Sequence, residues 1–581
     1  MGDVRILPPE IISKIAAGEV IERPASVVKE LIENSLDAKA SSIELHIKQA
    51  GKTLIQIKDN GSGIAPDDMN IIFHRHATSK IRKPDDLYSI NSLGFRGEAL
   101  YSICAISDIF LRSKMKNSEV GWEIHIRGSQ KISLKPINMP IGTEIEIREL
   151  FFNTPARRKF LKSDSTEIKQ ILNTFIPYTL LYPHCSFLLT HGSKTLLDLL
   201  PQQDLVNRIS NCLNLNKNHI ITGQRNYPKN NLSAELILGD INIQRAMKNL
   251  QFIFVNNRPV QNRSLNFHIN QIYKLILPSD VYSFFILFIN VNPDTIDVNI
   301  HPSKREIKLK DEQIIISLIR SLCEQTLMTK SKPKQIEEIN PFTLKLKPKY
   351  SQNQASTNYQ QIKENKPLKY ILSNEEQINF FPNKTFFENN KEQSLKTKLY
   401  ASKYVGSFIK KYILFETIES LLIVDQHAAQ ERISYEALKK QIESGSVESQ
   451  HLLSPIILSL SPQEMITWEN IRITLENIGF SNTLIDNENI AIHSHPQLIT
   501  NPAIAVRNLL SEININCYDN NIVARWACRN SIKAGYTIDY EQANYLKNEL
   551  LKTKDPFICP HGRPTVIEIK EATLDKEFIR R

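Results

Sequence analysis

Cysteine is scarce in this 581-residue chain. Seven thiols, Cys104, Cys185, Cys212, Cys323, Cys517, Cys528 and Cys559, lie scattered along it. The count is odd and no tight framework appears, so free thiols in a reducing compartment are expected. Long apolar runs are missing too: no stretch reaches the roughly 18 residues that a membrane-spanning helix needs. The opening residues, MGDVRILPPEIISK, lack the apolar core of a secretion signal. A soluble cytoplasmic protein with no membrane partner is the expectation. No short-period repeat is visible, which argues against a solenoid.

What is present is ordinary for a globular protein, 41% hydrophobic and 23% charged, enough for a sizeable core in each of three or more domains. Net charge is +10, from 72 Lys+Arg against 62 Asp+Glu, an excess that permits nucleic-acid contact without requiring it. Residues 1–204 alternate helical and strand patterns; SSIELHIKQ, TLIQIKD, WEIHIRG and GTEIEIREL are strand candidates, and a layered α/β sandwich follows. Residues 205–330 read as a second α/β unit, with VYSFFILFINV as a buried strand and DEQIIISLIRSLCEQTL as its closing helix. Over residues 331–395 apolar periodicity is lost among Lys, Gln, Asn, Ser and Glu, which predicts a disordered linker. Such a chain spans roughly 45 Å and could tether a second module around a DNA duplex. Residues 396–581 regain regular structure of α+β type. YVGSFIKKYILFETIESLLIVDQHAAQER alternates through two strands and enters a helix at the histidine.

The stretch SVVKELIENSLDA, residues 26–38, has helical spacing. Val28, Leu31, Ile32 and Leu36 form its core face, while Glu30, Asn34 and Asp37, at i, i+4 and i+7, share the polar one. Glu30 is placed to draw a proton from water and Asn34 to offer an oxygen to Mg²⁺; a merely solvated face is the bland alternative. Residues 53–64, TLIQIKDNGSGI, read as a strand ending at Asp59, a lone acceptor suited to an adenine amine. Gly61 and Gly63 then let the backbone approach a ligand. In GFRGEAL, residues 94–100, glycines precede a helical run and present free N–H groups to phosphate. Between them, residues 65–93 crowd His74, Arg75, His76, Thr78, Ser79 and Lys80 into a polar segment that reads as a mobile lid.

Taken in order, Glu30-x-x-x-Asn34-x-x-Asp37-Ala38, Asp59-x-Gly61-x-Gly63, Gly94-Phe95-Arg96-Gly97-Glu98 and Gly142-Thr143 resemble the gyrase, Hsp90, histidine-kinase and MutL (GHKL) ATPase superfamily. IAAGEVIERPASVVKELIENSLDA, FHRHATSKI, GFRGEAL and FFNTPARRKFLK narrow the resemblance to the MutL family of DNA mismatch repair proteins, over about residues 5–330 and again from about 396. That resemblance implies ATP and Mg²⁺ as cofactors, Glu30 as general base, Asn34 on Mg²⁺ and Asp59 on adenine. It places Gly63, Gly94 and Gly97 along the phosphates, Thr78, Ser79 and Lys80 in the lid, Thr143 behind the adenine, and Lys304 of the second unit on the γ-phosphate. It also implies a homodimer through residues 396–581, a MutS-type mismatch sensor as partner, and double-stranded DNA as substrate. Arg157, Arg158, Lys159, Arg258 and Arg263 are the candidate DNA contacts, against a solvated charged surface as the alternative.

In the C-terminal part, Asp425, His427 and Glu431 are O and N donors within two turns; His427 and Glu431, at i and i+4, compose with Cys559 and His561 a four-ligand N, O, S set suited to Zn²⁺ or Mn²⁺. A capped helix with ordinary polar residues is the alternative. Residues 425–436 (DQHA-x-x-E-x-x-x-x-E), Ala527-Cys528-Arg529, residues 559–564 (CPHGRP) and Phe578-Ile579-Arg580 resemble the MutL branch with a latent endonuclease. Asp425, a hard carboxylate, is the expected holder of a catalytic Mn²⁺ or Mg²⁺, and His427, Glu431, Cys559 and His561, with thiolate and imidazole among them, of a neighbouring regulatory Zn²⁺. The competing reading is an ATP-dependent matchmaker whose metal is structural. Gln450, Leu453 and Pro455, in QHLLSP, resemble a motif that docks on the sliding clamp, with a strand-entry turn as the alternative.

Overall fold

The computed structural model describes residues 20–80, 93–94, 97–228, 231–245, 248–274, 277, 282–297, 308–310, 312–330, 389–499, 501–512, 538–560 and 562–577. Phe95, Arg96, Lys304, His561, Ala527-Cys528-Arg529, Phe578-Ile579-Arg580 and most of the expected linker lie outside them.

The first unit is one sheet of eight strands: β1 (Ser42–Lys48), β2 (Leu54–Asp59), β3 (Asp108–Lys114), β4 (Gly121–Arg127), β5 (Gln130–Ile137), β6 (Gly142–Arg148), β7 (Ser186–His191) and β8 (Lys194–Leu199). Their order is β5-β4-β3-β6-β2-β1-β7-β8, antiparallel except where β1 meets β7. Strand alternation sends Ile43, Leu45, Ile55, Ile57, Ile109 and Ile145 to one buried face. Helices α1 (Pro24–Asp37), α2 (Ala99–Ala105), α3 (Pro155–Phe160), α4 (Asp164–Leu181) and α5 (Leu205–Leu213) follow in chain order, and α1 packs on α4 and β2. The opposite face is polar. There Arg112 donates to Glu123 (2.5 Å), Glu144 (2.7 Å) and Glu146 (3.3 Å), and Lys135 pairs with Glu123 at 3.0 Å. α5 falls in the stretch read as the second unit, yet it packs on α4 and β8 of the first, which extends the first unit's packing past residue 204.

The second unit has a five-stranded sheet in the order Arg258–Val260, Gln251–Val255, Phe285–Val291, Leu232–Gly239, Ile220–Tyr227. Helices Arg263–Tyr273 and Glu312–Lys330 cover it. In the C-terminal part the expected two strands are three, Lys403–Phe408, Tyr412–Glu416 and Ser420–Asp425, joined by Val566–Lys570 in one antiparallel sheet. The additional strand arises because residues 409–411 turn sharply, with Ile409 and Lys410 at positive φ, inside what reads as one alternating run. A helix at Asn389–Ala401 reaches back into the expected linker and anchors through fully buried Leu399. A second C-terminal core gathers around Trp468, under the sheet Ser449–Ser459, Asn489–Pro496, Asn482–Leu484. Among the described residues no helix is long and apolar enough to cross a membrane.

Candidate nucleotide and metal sites

Helix α1 starts at Pro24, whose fixed φ suits a first turn, and ends at Asp37. Val28, Leu31, Ile32 and Leu36 are buried as their spacing predicts. Glu30, Asn34 and Asp37 are half-buried along the face left over. The Lys80 ammonium, from the lid segment, reaches two of them: it lies 3.1 Å from Asn34 Oδ1 and 2.5 Å from Asp37 Oδ2. The oxygens assigned to Mg²⁺ and nucleotide thus already converge on one cation. Asp37 also accepts the backbone N–H groups of Leu93 (3.0 Å) and Gly94 (3.2 Å), so its carboxylate ties the glycine-rich turn to the end of α1.

Asp59, at the end of β2, is tied to α1 through Ser35. It is bonded rather than a lone acceptor: Ser35 Oγ donates to Oδ2 at 2.7 Å and Gly61 N–H to Oδ1 at 2.9 Å. With a third donor, the Thr143 backbone, three of the carboxylate's roughly four lone-pair sites are taken, which leaves about one for a ligand donor. Burial pushes the Asp59 carboxyl above its ordinary value, opposed by hydrogen bonds from Ser35 and from the Gly61 and Thr143 backbones. Thr143 is buried beside it on β6, 3.0 Å from Ser113 Oγ, which in turn accepts the Ile64 N–H at 2.8 Å. Gly63 and Gly97 are at φ +75° and +62°. A Cβ at either would lie 2.3 Å from the Lys114 carbonyl oxygen or 2.5 Å from that of Ala77, so only glycine fits these turns. Thr78 accepts the Lys80 N–H at 3.2 Å, and Ser79 adjoins them in the same turn. Ser35 and Ser113 carry no sequence signal of their own, since each acts only through a partner brought by tertiary folding.

In the C-terminal part Asp425 is the N-cap of helix Gln426–Glu443, its Oδ1 accepting the Ala428 N–H at 3.0 Å. His427 Nε2 lies 3.2 Å from Glu431 Oε1, one turn on, and Glu431 is buried. Three clips hold this segment to the loop that carries Cys559. Asp425 N–H donates to the Thr565 carbonyl (2.9 Å), Arg432 Nε to the Ile558 carbonyl (2.6 Å), and Glu436 Oε2 accepts the Lys554 N–H (2.7 Å). Cys559 is buried in a tight turn, its sulfur accepting the Arg563 N–H at 3.4 Å. Among the described residues no three His, Cys, Asp or Glu side chains converge closely enough to hold an ion, and His561 lies outside them. The donor chemistry on the two clipped segments nevertheless suits a soft divalent metal.

The basic candidates are dispersed. Arg157, Arg158 and Lys159 share the short helix α3, with Arg158 and Lys159 exposed. Arg263 is exposed at the start of its helix, whereas Arg258 is half-buried. Gln450, Leu453 and Pro455 lie on the strand Ser449–Ser459 rather than in an entry turn. All three are exposed, beside a register shift between His451 and Ile456 that leaves Pro455 outside the ladder.

Residues 21–148 match the family described as histidine kinase-, DNA gyrase B- and HSP90-like ATPases. Residues 215–328 match the C-terminal domain of DNA mismatch repair proteins, and residues 405–538 the MutL C-terminal dimerisation domain. The chain is similar over its full length, and the relatives' full length, to DNA mismatch repair proteins MutL of Endomicrobium trichonymphae (36% identical), Thermodesulfovibrio yellowstonii (35%) and Clostridium tetani (34%). Among solved structures, the Aquifex aeolicus MutL ATPase domain complexed with ADP is 28% identical, covering 53% of this chain and 98% of that one, with a TM-score of 0.39.

Proposed function

We propose that this chain, which belongs to the MutL family of DNA mismatch repair proteins, is an ATP-gated DNA clamp and matchmaker whose C-terminal domain nicks DNA with a metal. Its N-terminal domain is an ATPase domain of the gyrase and Hsp90 type. One observation carries the nucleotide reading: Asn34 and Asp37 converge on a cation while Ser35 of the same helix, with Gly61, fixes Asp59. In this reading Asp59 accepts the adenine amine and the turns at Gly63, Gly94 and Gly97 line the phosphates. Asn34 would hold Mg²⁺, which when bound would supply neutralisation of phosphate charge. Glu30 takes a proton from the attacking water as the bond from γ-phosphorus to the ADP oxygen breaks. Phe95, Arg96 and Lys304 complete the ATP contacts by resemblance.

Glu30→Ala is expected to bind ATP and to lose hydrolysis by the ~10²–10⁴-fold that a positioned base supplies. Asn34→Ala should lose Mg²⁺-dependent binding as well. Equal loss of affinity in both, measured by equilibrium binding, would remove Glu30 from the role of base.

For the second activity, Asp425 would hold the catalytic ion and His427, Glu431, Cys559 and His561 a neighbouring Zn²⁺. A bound divalent metal supplies phosphate polarisation and a water of lowered pKa. The adjacency of the Asp425 helix and the Cys559 loop supports this. The N-cap role of Asp425 favours the second reading, a matchmaker with a structural metal. Arg157, Arg158, Lys159, Arg258 and Arg263 serve as salt-sensitive DNA contacts, and exposed Leu453 with Gln450 and Pro455 as the clamp-docking segment. Homodimerisation through the C-terminal domain is supported by an apolar sheet face that the described residues leave partly exposed, on which Leu414 neighbours Ile423 and Ile423 neighbours exposed Ile567.

A further inference from the structure

Adjacent residues on a helix point about 100° apart and do not ordinarily meet. Lys29 and Glu30 do meet: the Lys29 ammonium lies 3.1 Å from Glu30 Oε1 and, one turn on, 3.3 Å from Glu33 Oε1. Glu33 is buried, and its Oε1 accepts the hydroxyl of buried Tyr178 from α4 at 2.6 Å. A chain of charge and hydrogen bonds therefore runs from the core of α4 through Glu33 and Lys29 to the carboxylate assigned as base. We propose that Lys29, Glu33 and Tyr178 are positioning residues for ATP hydrolysis, fixing the rotamer of Glu30 so that its second oxygen faces the attacking water. The proposal rests on the reading of Glu30 as base.

The energetics favour a stiff arrangement. Lys29 and Glu33 side chains are 12% and 6% exposed, so their attraction is little screened by solvent. Removing one partner would strand a buried charge, which makes the chain cooperative rather than optional. Burial alone would lower the Lys29 ammonium, but Glu30 and Glu33 outweigh it and raise it above the ordinary lysine value, so it stays charged. Lys80, the next cation on this face, engages Asn34 and Asp37, and α2, which also packs on α1, brings no charged side chain. Among the described residues, Lys29 is thus the cation placed on Glu30 itself. A base held to within a fraction of an ångström gains rate, whereas ligand affinity depends on other atoms.

The test is steady-state ATP hydrolysis by the full-length protein, alongside equilibrium binding of adenylyl imidodiphosphate. Lys29→Met is expected to lower kcat by up to about 100-fold with analogue affinity unchanged. Lys29→Arg, which keeps the charge, should restore most of the rate. Tyr178→Phe, which removes one hydroxyl, should lower kcat less, again without loss of affinity. Lys29→Met hydrolysing at the wild-type kcat would overturn the proposal. So would a parallel loss of kcat and affinity in both Lys29→Met and Lys29→Arg, the mark of a purely structural lysine. Glu30→Ala separates the two failures, because if it hydrolyses ATP normally the base assignment falls, whatever Lys29 does.

Discussion

At the scale of single residues, the nucleotide site places polar groups where folding alone would not. Asp59 is the clearest case. Its carboxyl is raised by burial, so the unfolded chain ionises it first as pH rises, and the ionised form costs the folded state stability at neutral pH. That cost is absent below the ordinary aspartate pKa and grows as pH climbs toward the folded value. Asp59→Asn is therefore expected to raise the melting temperature of the nucleotide-free protein at pH 7 while abolishing ATP binding. Calorimetry with and without ATP checks both signs; a variant that melts lower and still binds ATP would contradict the assignment. Asn34, Asp37 and Asp59 were legible because helix period and strand-end turns mark them in the sequence. Ser35, Ser113, Lys29 and Tyr178 were not, because their roles exist only across contacts between distant segments: Tyr178 and Glu33 are 145 positions apart.

Among elements, the eight-stranded sheet turns one alternating pattern into two faces with different work. The inward face buries isoleucine and leucine under α1 and α4; the outward face carries the Arg112 ladder. Burial tends to raise the Glu123 carboxyl, but Lys135 and Arg112 outweigh it and hold it below its ordinary value. A lowered carboxyl contributes stability that is present above the unfolded value, near 4.5, and is lost as pH falls through the folded one. Acid unfolding below about pH 4.5 should thus be less steep in Arg112→Met, which already lacks that contribution. At pH 7 this substitution should cost toward the lower end of the ~3–5 kcal/mol of a broken buried pair, since the Arg112 side chain is 24% exposed. Denaturant titration measures it, and a change below ~0.5 kcal/mol would make the ladder a solvated ornament. β1, β2, β4 and β6 were readable from alternation. β3, β5, β7 and β8 were not singled out, and the hairpin at residues 408–412 is hidden because its turn contains no glycine or proline.

At the scale of the whole molecule, two surfaces join separately folded parts. The apolar sheet face of Leu414, Ile423 and Ile567 is the expected dimer contact, and Ile423→Asp with Ile567→Asp should leave the full-length protein monomeric in light scattering. Within one chain, helix Pro462–Asn477 packs on α4: Ile466 is buried in the first core, Gln463 donates to Asn173 (3.1 Å), and Glu469 pairs with Lys194. Exposed ion pairs contribute little, so Ile466→Asp, rather than charge reversal, should release this contact and raise the radius of gyration in X-ray scattering. Neither surface was legible in the sequence, since a helix face buried against a neighbouring domain has the same pattern as one buried in its own.

On the proposed reading, one chain carries an ATP site and a separate metal-dependent nicking site. The most direct measurement is nicking of supercoiled plasmid by the purified full-length protein with Mn²⁺, wild type against Asp425→Asn, with ATP turnover followed in the same preparations. The prediction is that Asp425→Asn loses nicking while ATP turnover and dimerisation stay at wild-type levels, because Asp425 and the α1 site belong to different cores. Asp425→Asn nicking at the wild-type rate would contradict it and leave a matchmaker whose C-terminal metal is structural.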